Sequence, residues 1–250
     1  MLALMAAISQ ELRSLKRSLQ AQEAFAQGAC RIFHARFGPT PVLMAQSGMG
    51  RENAERALNL LLTRQRIGPL LSIGFAGGLA ERIDCGLIVL CSSFRCEQDS
   101  DAPVYGADAR LLNRAQRAFG SEPAIRTGRC LTVARPVAGP ALRRRAARTF
   151  GAEVADMESY WLARLAAHHD IPFLGVRAII DTEHCELSPF DRCVGPDGRI
   201  AIAALIPGLL RRPWQASRAV SITRRITRAQ EALARFVARL IPSLAGQEAS

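Results

Sequence analysis

A chain of 250 residues with 49% hydrophobic and 22% charged residues can bury one sizeable core, and no low-complexity run argues for disorder. Its formal net charge of +11 and isoelectric point near 10.5 favour an anionic partner, which could be nucleic acid, an acidic membrane surface or a phosphorylated substrate. No run approaches the ~20 apolar residues that a membrane-spanning helix needs; the best candidate, 201–210, is short and carries Pro207.

In chain order, the apolar stretch 1–8 has no basic region ahead of it and runs straight into Ser9-Gln10-Glu11, so it reads as a first strand rather than an export signal. Further apolar runs bounded by turn residues predict strands at 42–46, 70–73, 87–91, 153–156 and 173–179. Helical patterns fall between several of them, at 9–27, 51–64, 108–119, 140–150 and 157–169. This alternation predicts an α/β fold, a mixed or mostly parallel sheet covered by helices, with ligands near the carboxyl ends of its strands. The places to search are then 8–11, 74–78 and 156–181.

The seven cysteines (30, 85, 91, 96, 130, 185 and 193) are odd in number, show no C-x-x-C spacing and are not grouped with histidines, so they read as reduced thiols and not as a zinc site. With no export signal, the expected location is cytoplasmic, or peripheral to a membrane.

From Arg211 the character changes, which divides the chain into a catalytic unit at 1–210 and a basic tail at 211–250. Eight arginines and one acidic residue, Glu231, fall between Arg211 and Arg239. Ile222, Ile226, Ala229, Leu233, Phe236, Val237 and Leu240 recur at spacings of three and four, and the arginines fall on an adjoining arc. Two readings of this helix stand. In one the apolar stripe packs on the core or on a neighbouring subunit; in the other it lies on anionic lipid, with Trp214 as an interface anchor. Nucleic acid is disfavoured, because no recognition motif or aromatic-rich strand accompanies the charge.

Three segments carry the chemistry. Ile73-Gly74-Phe75-Ala76-Gly77-Gly78 reads as a buried strand followed by a glycine-rich turn, but it is not the G-x-G-x-x-G fingerprint, and no G-K-[ST] phosphate loop occurs. Asp156-Met157-Glu158-Ser159 ends a strand and opens a helix, where a carboxylate can cap the helix or serve a site. The strand at 172–181 is apolar until it finishes in Asp181.

Taken in order, 6–11, then Ser47-Gly48-Met49-Gly50 with 74–79, then 156–159 with Val176-Arg177-Ala178-Ile179-Ile180-Asp181, these segments resemble the methylthioadenosine/adenosylhomocysteine nucleosidases and their nucleoside phosphorylase relatives. The resemblance extends to the hopanoid-associated phosphorylase subgroup through Tyr105-Gly106-Ala107-Asp108, Gly195-Pro196-Asp197-Gly198 and Leu209-Leu210-Arg211-Arg212-Pro213.

The family resemblance implies a three-layer α/β/α fold with a central mixed sheet, a homo-oligomer of at least two chains, and no metal or organic cofactor. It implies cleavage of the N-glycosidic bond of a purine nucleoside. Asp181 would donate to N7 of the purine, Glu158 and Met157 would hold the ribose, Glu11 would activate water, Gly77 would line the pocket floor, and Arg177 would orient the Asp181 strand end. The subgroup further implies a lipid-linked substrate, adenosylhopane, from which adenine is released.

Three departures make the implied pocket more apolar than in the nucleosidases: Phe75 replaces a serine, Leu131 stands near a base-stacking phenylalanine, and Ile180 replaces a serine before Asp181. They turn the expected substrate away from methylthioadenosine and adenosylhomocysteine towards a hydrophobic 5′ substituent. Ser72 stands where several phosphorylases supply a phosphate-binding arginine, which favours water over inorganic phosphate as co-substrate. The competing readings are a phosphate-dependent phosphorylase, a methylthioadenosine/adenosylhomocysteine nucleosidase and a non-catalytic membrane-associated scaffold.

Overall fold

The structure, a computed structural model, describes residues 1–120, 122–182 and 215–245. Trp214 and the subgroup motifs at 195–198 and 209–213 lie outside the described residues, as do Cys185 and Cys193.

The centre of the molecule is a ten-stranded mixed sheet. β1 (Leu2–Ala6), β4 (Thr40–Gln46), β5 (Leu70–Gly78) and β10 (Phe173–Asp181) are its parallel heart: β1 pairs with β4 and β5, and β10 pairs with β5. Helices cover both faces here, so these strands read as continuous apolar runs without alternation; all five residues of β1 are buried. β6 (Ile88–Cys96), β8 (Ile125–Thr132) and β9 (Val154–Asp156) return from β10 to the far end of β5, so five strands close on one another. On the other side, β3 (Cys30–Phe37) and β2 (Gln22–Gln27) extend the sheet antiparallel from β4 to an exposed edge, and the short β7 (Tyr105–Gly106) pairs with β6.

Two helical layers complete the fold. α2 (Arg51–Arg64) and α5 (Ser159–His168) pack one face through Ala54, Leu58, Leu61, Tyr160, Leu162 and Ala166. Cys30, Cys91, Cys96 and Cys130 are buried in the same cluster. α1 (Ser9–Ser18), α3 (Ala109–Phe119) and α6 (Gln215–Ala245) pack the other face, while α4 (Pro140–Phe150) lies over a third small cluster.

The apolar stripe of α6 is inside. Ala229, Leu233, Phe236, Val237, Leu240 and Ile241 are at most 2% exposed and share a cluster with β1, β10, α1 and α3. Phe236 stacks on Phe119 with ring centroids 4.3 Å apart, and Arg239 lies over the Phe119 ring while pairing with Glu122 at 2.7 Å. Of the two readings of this helix, the one in which the stripe packs on the core is the one the structure displays. No helix among the described residues is long and apolar enough to cross a membrane.

The helices expected at 51–64 and 140–150 form over those spans. The first helix is shorter than its pattern: Gln20 takes a positive φ of 48°, and the chain turns back into β2. Strands β2, β3 and β8 had no counterpart in the sequence reading. The glycine-rich segment 74–78 is not a turn; it continues β5, paired with β10 from Val176↔Ile73 to Asp181↔Gly77.

Candidate active site

Four parallel strands end on one side of the sheet: Glu11 follows β1 and Asp181 closes β10 there, while Asp156 and Glu158 come from the end of β9, which pairs antiparallel with β5. Glu11 lies in the first turn of α1, just beyond β1. It is 5% exposed, and backbone N–H groups fix it on both oxygens: Ala7 and Ile8 donate to Oε2 at 2.9 and 3.0 Å, and Phe75 donates to Oε1 at 2.7 Å. Burial raises its pKa above the ordinary glutamate value, while these hydrogen bonds and the nearby Arg177 charge pull the other way. Gly74 makes the seat possible, because a Cβ there would stand 2.7 Å from Glu11 Oε1.

Glu158 faces the same cavity from the start of α5, with Oε1 accepting from the Gly50 N–H at 2.6 Å. Burial, reinforced by the Asp156 charge, pushes its pKa up to about 8. Phe75, Ser72 and Arg177 complete the wall between the two glutamates, and Phe75 and Met157 are both half-buried. A larger, open hollow lies at the opposite ends of the strands, bordered by Met1, Leu19, His34 and Arg36; none of the carboxylates described here reaches it.

Asp156 belongs to the foundation. Its Oδ2 accepts from Arg177 Nε at 2.7 Å, and its Oδ1 accepts from the Thr132 hydroxyl at 2.8 Å. The Ser159 N–H also donates to it, so Asp156 caps α5 as well. Burial opposes its charge, yet Arg177 and these hydrogen bonds hold its carboxyl below the ordinary range. Arg177 gives its remaining donors to the Ser72 carbonyl and hydroxyl at 2.8 Å each, to the Val176 carbonyl and to Ser159 Oγ at 2.5 Å. It ties β10 to β5, β9 and α5 and makes no hydrogen bond to Asp181.

The partner of Asp181 is Arg143, from the first turn of α4, which donates through Nη2 to Asp181 Oδ2 and through Nη1 to the Gly78 carbonyl at 3.0 Å. The sequence reading did not find Arg143. Its signal was faint: in the run Arg143-Arg144-Arg145, only the first side chain is buried. Gly77 lies directly opposite Asp181. β5 thus acts as a ruler, meeting Glu11 at Phe75 and Asp181 two residues further on, a separation of roughly 7 Å along the strand.

Leu131 is not brought to this cavity. Its side chain has no exposed surface and packs with Leu79, Val133 and Ala155 under α4.

Comparisons with known proteins bear on the family and the fold. The model of the family described as "Phosphorylase superfamily" matches residues 1–194. A curated relative, the 5′-methylthioadenosine/S-adenosylhomocysteine nucleosidase of Listeria monocytogenes serotype 4b, is 26% identical over 227 residues, covering 82% of this chain and 97% of its own. Among solved structures, the nucleosidase of that name from Neisseria meningitidis, in complex with methylthio-immucillin-A, superposes with a TM-score of 0.76 at 18% identity over 97% of this chain and 98% of its own. The futalosine hydrolase of Helicobacter pylori has the same fold, with a TM-score of 0.74 at 12% identity over 96% of this chain and 97% of its own. With residues 1–194 matched by the family model, the chain belongs to the phosphorylase superfamily.

Proposed function

We propose that the protein is an N-ribosyl hydrolase that releases adenine from an adenine nucleoside with a hydrophobic 5′ substituent, adenosylhopane or a molecule like it, in bacterial hopanoid synthesis. The observation that carries this reading is the convergence of Glu11, Glu158 and Asp181 at neighbouring strand ends, each held by a different anchor. A scaffold has no use for two carboxylates lining one cavity and a third at the end of the adjoining strand.

In this reading Glu158 holds the ribose hydroxyls and, once ionised, offsets the positive charge that develops on the ribosyl ring as the bond to the base breaks. Asp181 protonates N7, so that the bonding electron pair leaves on a neutral base. Glu11 takes a proton from the water that adds to C1′. Phe75 and Met157 supply apolar wall, and Gly77 leaves room beside Asp181. No metal or organic cofactor is needed.

Water is favoured over phosphate by the state of the nearby cations. Ser72 binds Arg177, and Arg177 is saturated by Asp156, Ser72, Val176 and Ser159. Arg143 is engaged by Asp181 and Gly78. Neither offers a clamp for a phosphate dianion.

We retain the division at residue 210, with the basic helix serving a lipid-linked substrate. Because its apolar stripe is used by the core, contact with an anionic bilayer in this reading rests on charge. Exposed arginines of three helices share that layer: Arg13 and Arg17 on α1, Arg110 and Arg117 on α3, Arg224 and Arg228 on α6. The working form is a homo-oligomer of at least two chains.

The deciding assay is release of free adenine from adenosylhopane and from 5′-methylthioadenosine, with and without inorganic phosphate. Phosphate-independent release, faster from adenosylhopane, is expected. Strict dependence on phosphate would turn the assignment to a phosphorylase, and no release from either nucleoside would remove it. Flotation with anionic vesicles at low salt, lost at high salt, is the expected membrane result.

A further inference from the structure

Arg143 is the buried cation whose surroundings are least explained by folding alone. Its side chain is 3% exposed, it reaches from α4 across the end of β5, and its Nε has no hydrogen-bond partner among the described residues. An unpartnered buried donor costs roughly 1–3 kcal/mol, so a guanidinium packed for stability alone would be expected to satisfy it. The passage it occupies is shaped for it. A Cβ on Gly77 would stand 3.1 Å from Arg143 Nη1, and the Gly78 carbonyl receives that same nitrogen.

From these contacts we infer that Arg143 is a positioning residue for Asp181: it fixes the carboxyl group and neutralises the carboxylate that proton donation to the leaving base creates. The inference rests on the reading of Asp181 as the group that protonates N7. As the C1′–N9 bond breaks, its electron pair moves onto the purine, N7 takes the proton from Asp181, and a carboxylate only 15% exposed is left behind. Without a counter-charge that product is expensive in a low-dielectric surrounding. Arg143 already touches the oxygen that carries the charge, so no reorganisation is needed at the moment of transfer.

The inference separates departing groups that need a proton from those that do not. A 4-nitrophenyl riboside leaves as a stabilised phenolate and makes no demand on Asp181. R143Q is expected to lower kcat for adenine release by about 10²-fold, with KM changed far less, while its turnover of the nitrophenyl riboside stays within about threefold of wild type. R143K, which restores the charge but not the fork, is expected to recover part of the loss on the adenine nucleoside.

Equal losses on both substrates would reduce Arg143 to a structural residue and overturn the inference. So would R143K performing no better than R143Q, and this arm decides even if the wild-type enzyme is slow on the riboside. Full activity of D181N on the adenine nucleoside would instead remove the underlying reading of Asp181, a failure distinguishable from that of Arg143 because it needs no arginine variant.

Discussion

Two buried arginines meet two aspartates at one end of the sheet, and the pairs are built differently. The Arg177–Asp156 pair is closed: both side chains are at most 3% exposed, and Ser72, Thr132 and Ser159 complete the network. The Arg143–Asp181 pair is open. Asp181 remains 15% exposed, and Arg143 Nε has no hydrogen-bond partner among the described residues. A saturated network holds elements together, whereas one with an unmet buried donor carries a cost that folding alone does not offset. The comparison teaches that two strand-end aspartates with a buried arginine each need not be built alike: one pair is enclosed, and the other leaves its carboxylate partly exposed.

The sharpest way to break the comparison is to neutralise the carboxylates. D181N and E11Q are each expected to cut adenine release by roughly 10²–10⁴-fold, while the protein stays folded at the assay temperature despite a lower urea midpoint. If either loses its fold in step with its activity, the division between closed foundation and open site is wrong.

Next in size is R177M, which leaves Asp156 charged and buried without its partner. Removing one member of such a pair costs about 3–5 kcal/mol, so urea unfolding is expected to shift strongly, in contrast to R143Q. Comparable stability losses in the two variants would erase the distinction.

G74A probes the seat of Glu11 from the backbone side. The new methyl group would stand 2.7 Å from Oε1, so the carboxylate must shift or the strand must give, at about 1–3 kcal/mol. Activity is expected to fall with stability, and an unchanged kcat would show that the position of Glu11 is not critical.

The smallest effect is a pH dependence. Folded Glu158 keeps its proton to about pH 8, while the unfolded residue loses it near its ordinary value of about 4.3. Folding therefore takes up a proton between these limits, and stability falls as pH rises through that window and levels off above it. E158Q is expected to flatten the slope in thermal melts. In the wild type, kcat/KM is expected to rise towards pH 8 as the carboxylate that faces the ribosyl cation forms; a profile flat from pH 6 to 9 would contradict that role.

Regular local pattern was legible in the chain. The spacing of Ala54, Ala57, Leu58 and Leu61 gave α2 its limits, and the apolar runs gave β1, β4 and β10 because strands buried on both faces carry little else. β2 was hidden for the opposite reason: it is an edge strand, five of whose six residues are exposed, so nothing in its composition marks it. Glu11, Glu158 and Asp181 stood out because charge at the end of an apolar run is conspicuous.

The sequence by itself determined the class of fold, the order of the strand-end carboxylates and the apolar face of the last helix, since each is written in local periodicity. Only the tertiary structure decided which cation serves which carboxylate and where that helix turns its stripe. Arg143 and Asp181 are 38 residues apart and come together because α4 starts over the end of β5, a placement that no local spacing records. Arg177 lies four residues from Asp181 in the same strand, yet its buried side chain reaches Asp156 on β9, a strand that does not pair with β10. Adjacency in sequence fixed the strand that carries Asp181; packing between strands and helices fixed its partner.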